Sequence, residues 1–129
     1  MKLNIFFKIH AVIAVVFGLG FIFMPALILS YYTTVEVNDI GVFMSRLFGS
    51  AILTYAAVLW FASDTPESEA KRAIVKGFFL TMLVGLAVVL HFQLTGSINA
   101  LGWSTVALYA FLALGYFKFD KELKALCSS

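Results

Sequence analysis

Carboxylates are missing from every long apolar run of this 129-residue chain, and from Gly77 to Phe117 no residue carries a formal charge. Without an acid inside a helix, a proton-coupled carboxylate of the small multidrug-exporter kind has no carrier. Histidine is scarce too. His10 falls near the start of the first apolar run and His91 near the end of the third. A bis-histidine haem needs two imidazoles at one depth, so that group is not expected. The single cysteine, Cys127, cannot close an internal disulfide, and no metal or redox spacing surrounds it. It reads as a reduced thiol near the C-terminus, with palmitoylation as the alternative. No serine or cysteine nucleophile with a paired base is visible. No metal or cofactor is predicted, and an enzyme is the third-ranked reading.

What remains is apolar. Hydrophobic residues make up 62% and charged residues 12%, against roughly 45–50% and 25% in soluble domains. No water-soluble fold of this length hides so much apolar surface. The composition therefore predicts an all-α integral membrane protein, a single transmembrane domain over residues 1–129 with the bilayer as its first partner.

The N-terminal run MKLNIFFKIHAVIAVVFGLGFIF has the lysines and apolar stretch of a signal peptide. No A-x-A-like cleavage site follows, so it is read as a retained helix, about 9–32. Pro25 should bend or end that helix. Tyr31 and Tyr32 then fall at an interfacial aromatic belt. The connection TTVEVND is acidic, and Asn38 or Asp39 is a candidate N-cap for a second helix over about 40–62, which ends near Trp60. SDTPESEAKR is the only long polar segment before the tail, with a helix start around Ser68 and Glu69. The 41 uncharged residues from Gly77 to Phe117 are about twice one crossing of ~20 residues. They require two helices, about 74–95 and 98–118, with a turn at Thr95-Gly96-Ser97. The expectation is a four-helix bundle.

Eight of the nine Lys and Arg residues fall on one side of that arrangement: Lys2, Lys8, Lys71, Arg72, Lys76, Lys118, Lys121 and Lys124. Only Arg46 falls on the other. Under the positive-inside rule both termini are cytoplasmic. The basic residues mark a membrane face, and no nucleic-acid partner is expected.

Lipid tails are as apolar as leucine, so membrane helices associate through close packing of small residues. Gly41, Ser45 and Gly49 recur at four-residue spacing in helix two, and Gly77, Thr81 and Gly85 in helix three. Ala14 and Gly18 offer the same in helix one. These ladders serve packing within one chain or a homo-oligomer interface, and the pattern does not choose.

Arg46 is the one charge inside an apolar helix, and such a charge costs roughly 3 kcal/mol or more at mid-bilayer. It lies six residues past Ile40, within reach of the interface by snorkelling. By the topology above, Arg46, His91, Asn99 and Trp103 all fall in the outer half. They form a candidate ligand-binding set that would take an anionic or amphipathic small molecule, with Arg46 as charge partner. His91 shares a face with Thr95, while Gln93 points roughly 200° away at ~100° per residue. The alternative for Arg46 is a structural ion pair with Glu36 or Asp39, tying the loop to helix two.

The segments SRLFGSAILTYAAVLWFAS and INALGWSTVALYAFLALGYF, with Arg-x-x-Gly and Gly-Trp-Ser, resemble those of small uncharacterised four-helix bacterial inner-membrane proteins, broadly similar to the DoxX-like group. The resemblance implies a bacterial inner-membrane location and an accessory role near quinone-linked or redox complexes. It transfers no catalytic residue. Four-helix sterol isomerases rely on buried carboxylates that this chain lacks. Fluoride channels are similar in length and helix number, but their near-balanced charge and dual topology do not match the one-sided Lys and Arg distribution of this chain. The expected function is non-enzymatic: binding of a lipophilic or anionic small molecule, or of a membrane partner in a larger complex, through the outer half. A homo-oligomeric channel or transporter is the alternative.

Overall fold

The computed structural model describes residues 2–127, which form five helices and, among the described residues, no strand. They are α1 (Leu3–Phe23), α2 (Pro25–Ser30), α3 (Asp39–Ser63), α4 (Glu69–Leu94) and α5 (Gly102–Cys127). The chain forms two compact units, residues 2–64 and 65–127.

Helix ends differ from the apolar runs for identifiable reasons. α1 begins at Leu3 rather than near residue 9, and α4 at Glu69 rather than near 74, because the lysine-containing residues that precede each uncharged run are helical too. α4 is started by Ser68, whose hydroxyl accepts from the Lys71 amide at 3.1 Å, and α3 by Asn38, whose carboxamide accepts from the Gly41 amide at 2.9 Å. Each cap satisfies an otherwise orphaned N–H. The first helix does not run to residue 32. It stops at Phe23, and Met24 takes a non-helical conformation. Pro25 opens the short α2, where its missing N–H costs nothing. α4 ends in a Schellman motif: the Ser97 amide donates to the Phe92 carbonyl and the Gly96 amide to Gln93. Gly96 adopts φ +74°, a left-handed conformation that glycine reaches without strain. Tight turns through Asn99, Ala100 and Leu101 delay α5 to Gly102 rather than 98. At its far end α5 continues through KFDKELKALC, good helix formers that extend it beyond the apolar stretch.

α1, α3 and α4 are each long and apolar enough to cross a membrane. α5 is not among them, because Trp103, Ser104, Thr105, Tyr109 and Tyr116 dilute its apolar content. Only 17% of the apolar window of α4 is buried within the chain. Phe23, Phe61, Leu80 and Leu114 are among many large apolar side chains facing outward. In water such a surface would aggregate, and in lipid it needs no cover.

In the first unit α1 and α3 run antiparallel. Lys8 pairs with Asp64 at 3.2 Å, Gly18 meets Gly49, and the Ser45 hydroxyl donates to the Phe21 carbonyl at 3.4 Å. The Gly18–Gly49 crossing is backbone against backbone: a Cβ added at Gly49 would lie 2.6 Å from the Gly18 carbonyl oxygen. Ala14, Phe21, Ile52 and Ala56 form the core beside it, with Ile28 and Leu29 of α2 packed on it. In the second unit α4 and α5 form an antiparallel hairpin. Phe78 stacks on Tyr116 at 5.7 Å, and Gly85 is filled by the Tyr109 ring. Gly77 meets nothing within 4 Å, and Gly41 meets only Val37 and Asn38 beside its own cap.

Substituting Gly49→Ala should force α1 and α3 apart and cost about 1–3 kcal/mol. Gly77→Ala should be neutral or gain up to ~1 kcal/mol of helix propensity in a monomer. Unfolding of both variants in detergent checks the pair.

Candidate functional site

Arg46 lies in α3, in the first unit, with its side chain exposed. Among the described residues it makes no ion pair. Glu36, in the loop before α3, and Asp39, at its first residue, are exposed as well and unpaired. The ion pair with Glu36 or Asp39, the alternative for Arg46, is not among the ion pairs of the described residues. Asp39 and Arg46 are separated by about 10 Å of helix. The residues around Arg46 on α3 are large and outward-facing, with Phe43 57% and Leu47 52% exposed. Ser50, one turn further along, is exposed too. The local arrangement is a cation with free donors, on an apolar face, with two free acids toward the helix start.

His91, Asn99 and Trp103 lie in the second unit. His91 is exposed, its ring edge-on to Phe92 at 5.4 Å. Trp103 is about half-exposed at the start of α5. Asn99 contributes its backbone, because the Gln93 side-chain amide donates to its carbonyl at 3.2 Å.

Gln93 is the residue that sequence reasoning set aside. It points away from His91, as the helical period predicts, but into the interior of the α4–α5 turn, where it is 8% exposed. Its Nε2 closes the turn, and its Oε1 is buried beside Gly102 without a hydrogen-bond partner. A Cβ at residue 102 would collide with that oxygen, so glycine there and glutamine at 93 are one packing unit.

The opposite end of the second unit carries its ion pairs. The Arg72 Nε donates to Asp120 Oδ1 at 2.9 Å, joining α4 to α5, with Glu69 at 3.7 Å from the same guanidinium. Lys71 is 3% exposed and its ammonium donates to the Thr65 carbonyl at 2.8 Å, holding the loop before α4. Cys127 sits partly buried near Glu69. Desolvation, and then the Glu69 carboxylate as charge and hydrogen-bond acceptor, push its thiol above the ordinary value. Among the described residues no group of three or more His, Cys, Asp or Glu is placed to hold a metal ion.

Helices without strands among the described residues, three of them long and apolar enough for a bilayer, and an outward apolar surface define a helical protein of the membrane class. Within that class the chain belongs to DUF8292, a domain of unknown function, whose family model matches residues 2–123. No curated protein and no solved structure matches it.

Because the Glu69 negative charge disfavours the Cys127 thiolate, Glu69→Gln should lower the thiol pKa. Alkylation of Cys127 by iodoacetamide at neutral pH should then be faster than in the unaltered protein, and rates across a pH series measure the shift.

Proposed function

We propose that this chain is a non-enzymatic binding protein of the bacterial inner membrane. α5 makes the fourth crossing and both termini lie in the cytoplasm. The Lys and Arg distribution and the resemblance to DoxX-like proteins support that placement. The bound molecule is an amphiphile bearing an anionic group, taken in the outer half, and the observation that carries this is Arg46. A guanidinium on a lipid-facing helix with no internal carboxylate partner has to be satisfied from outside the chain. His91 and Trp103, exposed in the second unit, are further candidates for contact with ligand or partner.

A homo-oligomeric channel or transporter is the second reading, and Gly77 favours it. That glycine is exposed, with nothing within 4 Å of its would-be Cβ, so the Gly77 end of α4 has room for another helix, although Gly85 is already covered by Tyr109.

Native mass spectrometry of protein extracted gently from its own membrane separates the two. The binding reading expects a monomer with a discrete added mass that disappears in Arg46→Gln while helicity by circular dichroism is kept. A defined homo-oligomer with no added mass, dissociated by Gly77→Leu, would replace it with the channel reading.

A further inference from the structure

The outer-half reading leaves the ligand's chemistry open, and the free groups on the first unit narrow it. Four polar side chains follow one another toward and along α3: Glu36, Asp39, Arg46 and Ser50. All four are exposed, and Arg46 forms no ion pair with either acid. Two acids and a cation left apart on one unit constitute a charge pattern with its complement missing. A simple anion would satisfy only the cation.

We propose that the complement is a two-chain phospholipid with a primary-ammonium head, an inference that rests on the Arg46 binding reading. Its phosphodiester meets the Arg46 guanidinium, whose planar fork matches two phosphate oxygens. Its ammonium, nearer the water, meets Asp39 and Glu36. Ser50 lies four residues deeper than Arg46, about 6 Å along the helix, at the level of the ester carbonyls, and its hydroxyl is the donor there. One acyl chain then runs along the outward face of α3 past Leu47 and Thr54 toward Phe61, all exposed.

Competing ligands fit less of the pattern. A fatty acid offers acceptors at a single depth and nothing for the acids. Free phosphate has no apolar part for Phe43 and Leu47. A phospholipid with a neutral polyol head satisfies Arg46 and leaves Asp39 and Glu36 unanswered. A trimethylammonium head carries charge but no N–H donor, and is bulkier. The acids therefore select the head and Arg46 supplies the affinity.

The test uses the full-length protein in nanodiscs of phosphatidylcholine, with phosphatidylethanolamine, phosphatidylglycerol or oleate added in turn, and bound lipid read by native mass spectrometry. Phosphatidylethanolamine should be retained about tenfold over phosphatidylglycerol, the difference that ~1.4 kcal/mol produces. Glu36→Gln combined with Asp39→Asn should abolish that preference while phospholipid is still held. Arg46→Gln should release both phospholipids, and Arg46→Lys, which keeps charge without the fork, should hold less than the unaltered protein. Circular dichroism establishes that each variant is folded. Retention of phosphatidylglycerol or oleate above phosphatidylethanolamine, still dependent on Arg46, would overturn this ligand class and leave the anion-binding reading standing. Lipid retention indifferent to Arg46 in folded protein would overturn both.

Discussion

The backbone contact between Gly18 and Gly49 is the constraint on which the first unit depends. A chain whose outer surface is as apolar as its surroundings gains little by burying leucine. What holds α1 to α3 is the dispersion available when two helices lie backbone to backbone, together with polar links such as Ser45 to the Phe21 carbonyl. Close approach demands residues without bulk at the crossing, which is why the small residues there matter more than the many phenylalanines around them. The second unit reaches the same end differently. There a tyrosine ring fills the space over Gly85, and Arg72 with Asp120 ties the helices at the charged end.

Two sets of polar groups in these units stand in contrast. Gln93, Lys71 and Arg72 are turned inward and answered by the chain itself, apart from the one Gln93 oxygen. Arg46, Glu36, Asp39 and Ser50 are turned outward. The inward set closes turns and pins helix ends. The charged members of the outward set make no ion pair within the chain, and that contrast gives the Arg46 face its interest.

Much of the fold was legible before any coordinate. Caps and turns are written in single residues, so Ser68 and the Thr95-Gly96-Ser97 turn could be read directly and the α3 cap narrowed to Asn38 or Asp39, each with its physical reason. The Ser45 and Gly49 rungs were legible as a small face, since spacing of four defines a helix stripe. Which stripe meets a partner was not. Gly49 and Gly77 look alike in sequence, yet one is crossed by a backbone and the other stands open, because periodicity gives direction around an axis and not the neighbour found there. The same limit hid Gln93, whose direction was read correctly while its burial depended on where α5 begins. For Arg46 the sequence leaves two readings open, since carboxylates close in sequence match it by charge while the helix length between Asp39 and Arg46 decides their reach.

The break at Met24 and Pro25 has a consequence for the membrane itself. α1 holds 21 residues before the chain leaves the helical path, about 31 Å of rod. A bilayer's hydrocarbon core is roughly 30 Å thick. A longer helix absorbs mismatch by tilting, but one cut to length has no slack to tilt away. The proline thus makes α1 a one-sided gauge: in a thinner bilayer α1 can tilt, but in a thicker one the lipid, rather than the helix, has to deform.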